Sequence, residues 1–428
     1  MGSLRKAVAS LYVVQLATYV IPLFTLPWLT RVLEPSGFGT LSFCIAVNTY
    51  FTLFADFGFN FTATREIAVN QDNLARRSEI FWTTILAKAL LAVIGLSMLC
   101  AGCFWVERFA AQRHLLLIGY AAVLGSVLTP IWYFQGTERL PFLSTVTVII
   151  RTLSVPLTFL MVRNAADIDI ALAINAGVPC VTGVICLLAV ARRKEIRPVN
   201  VSAQSVIHAL RASSHLFLSN AAISLYTTSN TVLLGLVSSG ASVGYYSAAE
   251  RLIKAAQGLV NPISQSFYPR IARLMQQSRP EALALVRRLL RIQGGAGLAI
   301  SVGIFVLAPE ATHLLYGDAF GPTTSVLRWL SPLPFAIALS NVFGIQTMLP
   351  LGMNKEFSRV IILVGAANVA ALGVLGSVFG ATGAAMAVLG AEVCVTLLMA
   401  GILHRRGIHL FKDTGIRTAQ NTARDENQ

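Results

Sequence analysis

Charged residues are scarce in this sequence. Only 12% of its 428 residues are Asp, Glu, Lys or Arg, whereas 55% are hydrophobic. A soluble domain carries about 25% charged residues, so the composition excludes a soluble protein and makes lipid the main solvent. Long polar stretches are also missing, which leaves no room for a separate soluble domain.

The motifs of soluble enzymes are absent as well. The sequence has no P-loop, no H-E-x-x-H, no G-x-S-x-G and no G-x-G-x-x-G. We therefore expect no enzymatic activity, no cofactor and no metal site. Cys100 and Cys103 form a C-x-x-C, but no βαβ pattern surrounds it. Small buried hydrophobic residues are the favoured interpretation of the cysteines, with a redox or metal role as the alternative.

Long apolar segments make up most of the chain. A helix of about 20 apolar residues crosses the hydrocarbon core of a bilayer, and helices satisfy their own backbone groups there. The pattern predicts an all-α polytopic membrane protein with twelve transmembrane helices, at about 7–30, 38–59, 80–104, 115–134, 141–162, 170–190, 216–236, 243–267, 290–307, 325–349, 360–379 and 381–403.

The basic residues are sorted by side. Of the 33 Lys and Arg residues, 24 lie at one set of segment ends and 4 at the other. Cytoplasmic loops carry such an excess, so we predict that both termini are cytoplasmic. The same distribution accounts for the net charge of +14, and we expect no nucleic-acid partner.

The chain divides near its middle. The richest basic loop, 192–211, leaves six predicted spans on each side. We predict a first six-helix bundle over residues 1–200, a second over 201–407 and a cytoplasmic polar tail over 408–428. A Gly-containing turn follows the first span of each half, at 34–39 and at 238–244. This weak echo predicts a parallel repeat, an arrangement in which transporters hold substrate between their halves.

Predicted span eight carries a polar stripe. Glu250, Lys254, Gln257, Asn261 and Gln265 follow one another at helical spacing on one face. A helix with one wet face in lipid is expected to line a water-filled cavity. This stripe is therefore a candidate substrate-binding surface.

Shorter polar stripes occur in two other spans. Span seven contains Asn220, and span two contains Thr49 and Thr52. Asn220 joins the candidate substrate-binding residues. Hydroxyl and amide side chains also hold packed membrane helices together, and that alternative stays open.

Five basic residues lie within the predicted spans: Lys88, Arg151, Arg251, Lys254 and Arg328. Each costs at least about 2.5–3.5 kcal/mol at the middle of a bilayer, so they are expected to face water, acids or substrate. Arg328 alternatively extends to the outer interface, and Lys88 to the inner one. All five are candidate substrate-binding residues.

Three acids accompany these cations: Asp56, Glu250 and Glu392. Glu250 and Lys254 are spaced for an ion pair, and the remaining excess of cations favours an anionic, sugar-bearing substrate. The carboxylates are candidates for proton or ion coupling, because buried carboxylates titrate closer to neutral pH. Structural pairing with a nearby arginine is the alternative.

Several phrases of the chain resemble those of the bacterial polysaccharide-unit flippases (Wzx-type, O-antigen and exopolysaccharide transporters). They are LEPSGFG at 33–39, DFGF at 56–59 running on to ATREIA at 63–68, PIWYFQG at 130–136, VGYYSAAE at 243–250 and PISQSFYPR at 262–270. Each phrase is weak alone, but the ordered set is fairly specific. Together with the spans it covers most of the chain.

The resemblance implies a MATE-like fold of two six-helix bundles. It implies transfer of undecaprenyl-diphosphate-linked oligosaccharide from the inner to the outer leaflet of the bacterial inner membrane. The expected partners are this lipid-linked glycan and membrane lipids, and the candidate protein partners are a polysaccharide polymerase and a chain-length regulator. The sugars themselves stay undetermined.

Three other functions compete with this prediction. One is a passive channel, which would not need paired acids or a two-half repeat, although neither feature excludes it. An exporter of organic cations with the same fold would have an acidic or aromatic cavity, whereas these spans carry an excess of basic residues. A membrane-bound polysaccharide polymerase would need a large outer loop with catalytic groups. The longest predicted outer loop, around 310–324, offers only Glu310, His313 and Asp318.

Overall fold

The computed structural model describes residues 2–227 and 229–410. Within these ranges, the side chains that are not described are those of residues 2–23, 219, 220, 222, 223, 225–227, 259, 261 and 262. Most of the predicted polar tail, residues 411–428, therefore lies outside the described residues.

The described chain is helical from end to end and contains no strand, which confirms the all-α prediction. A 3₁₀ turn at Asp318–Phe320 and a π-helical turn at Gly344–Met348 accompany fifteen α-helices. These are α1 Gly2–Asp56, α2 Phe59–Val69, α3 Leu74–Trp105, α4 Glu107–Ala111, α5 Arg113–Leu128, α6 Ile131–Gly136, α7 Leu140–Met161, α8 Ile168–Arg192, α9 Ala203–Thr227, α10 Ser229–Val237, α11 Gly240–Gln277, α12 Arg279–Tyr316, α13 Thr323–Leu330, α14 Leu333–Phe343 and α15 Asn354–Arg405.

Eight helical segments in the described part are long and apolar enough to cross a membrane. Two helices contain a non-helical residue at which the chain changes direction. Glu34 in α1 has φ 57° and ψ 173°, and Gly380 in α15 has φ 57° and ψ −130°. A polytopic membrane protein, as predicted, follows from the number and length of these segments.

Two of the long helices, α3 and α11, begin at a residue whose side chain caps the first turn. The Asn73 side chain accepts a hydrogen bond from the backbone of Arg76 at the start of α3. Ser239 caps α11 in the same way, through the backbone of Ser242. Such caps satisfy backbone donors that the first helical turn leaves free, so these sequence positions fix where the long helices begin.

The two halves meet along α1 and α11. Their shared hydrophobic cluster includes Leu33 and Phe38 from the first half and Val243 and Tyr246 from the second, all nearly inaccessible to solvent. Two further clusters form, one from residues 54–210 and one from residues 263–410. The two halves therefore contact each other through closely packed, buried apolar side chains.

The two predicted repeat turns touch each other at this contact. A Cβ atom added to Gly39 would lie 1.8 Å from the carbonyl oxygen of Gly240. One added to Gly244 would lie 2.1 Å from the carbonyl oxygen of Pro35. No side chain fits at either position, so only glycine permits this approach of the two backbones.

The basic loop between the halves is fastened to the first half. The Tyr133 hydroxyl donates a hydrogen bond of 2.9 Å to Glu195, which also pairs with Arg139. The indole of Trp82 donates to the carbonyl oxygen of Arg197 at 3.0 Å. The start of the loop is thus a fixed part of the first half.

The first helix of the second half also packs on the first half. The hydroxyl groups of Thr62 in α2 and Ser213 in α9 lie 2.7 Å apart. The rings of Phe57 and Phe217 stack with their centres 4.4 Å apart. Helix α9 therefore bridges the two halves at the end of the molecule opposite to the glycine contact.

Candidate functional site

The first half encloses a cavity of about 510 Å³, called here the first-half cavity. Its polar lining comes from several helices that surround it, and most of these groups are hydroxyls: Thr25, Thr49, Thr52, Asp56, Ser126, Thr129, Thr147, Arg151, Ser154, Thr158, Asn175, Thr182 and Arg251. Hydroxyls of this kind accept and donate hydrogen bonds. The cavity is thus suited to a polar ligand.

Two arginines face the first-half cavity. Arg151 comes from α7, and no other described residue pairs with its guanidinium group. Arg251 comes from α11 in the second half, lies 4.8 Å over the ring of Phe38 and donates to Ser42 at 3.5 Å. An arginine without an acidic partner at this depth is expected to bind an anion.

Lys88 and Asp56 form a buried ion pair beside this cavity. The Lys88 ammonium lies 2.7 Å from an Asp56 carboxylate oxygen and donates to the carbonyl oxygen of Ser126 at 2.7 Å. Lys88 is only 1% exposed and does not line the cavity, whereas Asp56 is 23% exposed and does. The Lys88 ammonium group therefore pairs with a carboxylate of the protein and does not face the open cavity.

A second cavity of about 360 Å³ lies in the second half and is called the second-half cavity. Its wall is mainly apolar, and its polar members are Asn230, Tyr246, Glu250, Lys254, Gln257, Ser340, Asn341, Asn368 and Glu392. Three residues of the predicted polar stripe, Glu250, Lys254 and Gln257, therefore do line one cavity. It is not the cavity that contains Arg151.

Polar groups of the second-half cavity are paired with one another. Glu250 and Lys254 form an ion pair of 3.1 Å. The Ser340 hydroxyl donates to Glu392 at 2.5 Å. The Asn368 amide donates to the side-chain oxygen of Asn230 at 3.0 Å. These pairs satisfy groups that would otherwise be costly in a low-dielectric interior.

The predicted excess of cations is not spread evenly. Among the described residues lining the first-half cavity, Arg151 and Arg251 face the single acid Asp56. Lining the second-half cavity, Lys254 faces the two acids Glu250 and Glu392. The first cavity is therefore formally cationic and the second formally anionic, a separation that the sequence does not reveal.

Three of the residues predicted to bind substrate are not among the described residues that line either cavity. Arg328 is exposed on α13, with its guanidinium 5.7 Å from the ring centre of Phe305, and lines neither cavity. The side chains of Asn220 and Asn261 lie outside the described residues. Their predicted roles stay predictions.

Sequence reasoning missed several polar residues of both cavities. Asn175, Asn230 and Asn368 each stand in otherwise apolar helices, and Asn341 follows the prolines of the predicted tenth span. A lone asparagine in an apolar segment was the available signal, because an amide in hydrocarbon needs a partner.

The described residues contain no group of three or more His, Cys, Asp or Glu side chains arranged to hold a metal ion. The polar groups that line the two cavities are charged side chains, amides and hydroxyls, together with the phenol of Tyr246.

Comparison with known proteins decides the family. The family described as "Polysaccharide biosynthesis protein" matches residues 4–275. The chain belongs to this family. The curated relatives that resemble this chain are named as transporters.

Two curated relatives cover almost the whole chain. The protein named "Putative O-antigen transporter" of Escherichia coli (strain K12) is 37% identical over 397 residues, which are 93% of this chain and 96% of the relative. The protein of the same name from Shigella dysenteriae is 29% identical over 398 residues, 92% of this chain and 99% of the relative.

Solved transporters share the fold of this family member. The "Lipid II flippase MurJ, inward closed conformation" superposes with a TM-score of 0.72 and 13% identity, covering 92% of this chain and 87% of that one. An inward-facing multidrug resistance MATE family transporter gives a TM-score of 0.61 and 14% identity, covering 92% and 96%. At these identities the likeness shows the MATE-like fold alone.

Proposed function

We propose that this chain is a flippase that moves an undecaprenyl-diphosphate-linked oligosaccharide repeat unit from the cytoplasmic to the periplasmic leaflet of the bacterial inner membrane, for O-antigen or exopolysaccharide synthesis. The single observation that carries the proposal is that Arg151, whose guanidinium group has no partner among the described residues, lines a hydroxyl-rich cavity inside the membrane. The names of the curated relatives support the glycan, and the name of the MurJ neighbour supports a lipid-linked substrate.

The first-half cavity fits the head of such a substrate. Arg151 and Arg251 supply forked guanidinium groups that match phosphate oxygens. The surrounding threonines, serines and Asn175 supply partners for sugar hydroxyls. The same charge disfavours export of organic cations, which an arginine-lined cavity would repel.

The topology proposed with this function has twelve crossings in two six-helix bundles. Helix α1 supplies two crossings, one on each side of Glu34, and α15 also supplies two, one on each side of Gly380. With 24 basic residues on one side and 4 on the other, both termini lie in the cytoplasm. The glycine contact of Gly39 with Gly240 then closes the periplasmic side.

Ion coupling is assigned first to Glu250 and Glu392. Both line the second-half cavity, and both are held by groups that move with the second half, Lys254 and Ser340. Asp56 is the third candidate, although its pairing with the buried Lys88 favours a fixed charge. A polysaccharide polymerase and a chain-length regulator are the proposed protein partners, together with membrane lipids.

Complementation of a strain that lacks its repeat-unit flippase tests the proposal. The parent chain should restore surface polysaccharide and stop lipid-linked repeat units from accumulating. Arg151→Ala should fail although it inserts in the membrane, whereas Arg273→Ala, at an exposed arginine that lines neither cavity, should succeed. Normal surface polysaccharide with Arg151→Ala would remove the basis of the assignment.

A further inference from the structure

A third cavity, of about 300 Å³, lies between α2, α3 and the first turns of α9 and is called the junction cavity. It is separate from both cavities described above. Its lining is Phe59, Thr62, Ala63, Glu66, Arg76, Glu79, Ile80, Thr83, Thr84, Ser202, Gln204, Ser205, His208, Ala209 and Ala212. In the proposed topology it opens on the cytoplasmic side.

The charges of the junction cavity exclude a phosphate ligand. Arg76 lies 2.8 Å from Glu79 and 3.8 Å from Glu66. The lysine and arginine side chains of the described lining thus number one, Arg76, which pairs with both carboxylates, so Arg76, Glu66 and Glu79 together carry a formal charge of −1. This excess of negative charge disfavours an anion.

Uncharged polar groups dominate the rest of the lining. The side chains of Thr83, Gln204 and His208 make no hydrogen bond to another residue in the part of the chain that the structure describes, and those of Gln204 and His208 are exposed. Together with the two carboxylates they present donors and acceptors side by side. Each hydroxyl of a sugar is both a donor and an acceptor, so a polyhydroxylated ring matches this lining.

The volume of the cavity and the apolar part of its lining also favour a single sugar ring as the ligand. Ligand pockets range from about 300 to 1,000 Å³, so this cavity has room for one ring rather than an oligosaccharide. Phe59 and Ile80 form an apolar floor. A hexose has an apolar C–H face that packs on such a surface, while its hydroxyls point toward the rim.

The lining comes from both halves of the protein. Glu66, Arg76 and Glu79 belong to α2 and α3, whereas Ser202 to Ala212 belong to the start of α9. The hydrogen bond between Thr62 and Ser213 closes one side of the cavity. A ligand held here would touch both halves at the place where α9 joins them.

We infer that the junction cavity binds one hexose-type ring of the glycan at the cytoplasmic face, before the diphosphate enters the first-half cavity. The inference rests on the proposed flippase function and adds a sugar-reading site to it. The amide of Gln204 and the imidazole of His208 bind ring hydroxyls, with Glu66 and Glu79 as acceptors. Discrimination between repeat units would then begin outside the membrane interior.

Saturation-transfer NMR on the full-length protein in micelles tests binding directly. The probes are free hexoses and free N-acetylhexosamines. At least one of these sugars should receive saturation from the parent protein. The double variant Gln204→Ala/His208→Ala should bind that sugar about tenfold more weakly, as should Ala209→Leu, which fills the cavity.

Ile207→Ala serves as the matched control, because Ile207 is exposed on the same helix and does not line the cavity. It should bind the sugar like the parent. No transfer to any sugar from folded parent, or equal transfer in all variants, would overturn the inference.

Export separates this inference from the flippase proposal. The double variant Gln204→Ala/His208→Ala should accumulate lipid-linked repeat units in the complementation strain, while Ile207→Ala should not. Full export by the double variant beside lost export by Arg151→Ala would refute the sugar site and leave the flippase proposal standing. Full export by both would contradict both.

Discussion

The Lys88 ammonium lies 2.7 Å from the Asp56 carboxylate and is almost fully withdrawn from solvent. The same ammonium reaches the carbonyl oxygen of Ser126, so the pair ties α1, α3 and α5 together next to the first-half cavity. A lysine chosen from the sequence as a substrate ligand thus has a structural partner, and its removal has a predictable cost.

Lys88→Ala should destabilise the protein by about 2–3 kcal/mol, because the Asp56 carboxylate, which is 23% exposed, loses its buried ammonium partner. Thermal unfolding of the detergent-purified protein measures the loss. The double variant Lys88→Met/Asp56→Leu should recover part of it, since no lone charge remains.

Lys254→Ala is the control for this prediction. Lys254 is also paired with a carboxylate one helical turn away, but it is 49% exposed, so its loss should change stability by no more than about 1 kcal/mol. Equal unfolding temperatures for Lys88→Ala and Lys254→Ala would show that the Lys88–Asp56 pair contributes no more to stability than the exposed Lys254–Glu250 pair.

Gly39→Ala and Gly244→Ala should weaken the contact between the two halves. Each added methyl group would overlap a backbone carbonyl oxygen, and overpacking of this kind costs about 1–3 kcal/mol. We expect faster labelling of Ser242→Cys by a membrane-impermeant maleimide in spheroplasts, because the turns separate more often. Export should fall in parallel.

Gly373→Ala is the matched variant, because no atom lies within 4 Å of its added Cβ. It should label and export like the parent. If Gly39→Ala and Gly244→Ala behave the same way as Gly373→Ala, the contact does not close the periplasmic side.

Glu250→Gln should flatten the pH response of transport. Glutamine keeps the shape of the side chain but neither binds nor releases a proton, so a coupling carboxylate would lose its dependence on the proton gradient. Transport by reconstituted vesicles across a pH series measures this, and Glu392→Gln is examined in the same way. A full pH response in both variants would assign coupling to another group.

Arg151→Lys should retain only part of the export that the parent supports. Lysine keeps the positive charge but loses the forked guanidinium that meets two phosphate oxygens at once, so we expect about a tenfold loss in rate. The rate of appearance of surface polysaccharide after induction measures it. Export equal to that of the parent would mean that charge alone suffices at this position.

The helices were predictable because hydrocarbon length and basic loop charges act locally along the sequence. Their ends were less so. Helix α12 begins at Arg279, well before the predicted span at 290, because its amphipathic start packs Val286 and Leu289 into a hydrophobic cluster of the second half. Such an extension carries too many charges to be recognised as a membrane span.

The site was predictable in its residue types and not in its grouping. The spacing of Glu250, Lys254 and Gln257 fixed one shared face, which the second-half cavity confirms as a lining. The spacing of residues along one helix does not show which other helix faces it. Arg151 and Lys254 were therefore predicted to bind the same substrate, although they line different cavities. The pairing of Lys88 with Asp56 depends on tertiary contact for the same reason.

Transport in reconstituted vesicles tests the central claim most directly. Lipid-linked diphosphate oligosaccharide is placed in the vesicle membrane, and the fraction reachable by an external glycosidase is followed over time. With the parent chain, the inner pool should become reachable, while Arg151→Ala should match protein-free vesicles. An inner pool that stays protected with the parent, or is released equally by Arg151→Ala, would contradict a cationic cavity that carries a diphosphate across the membrane.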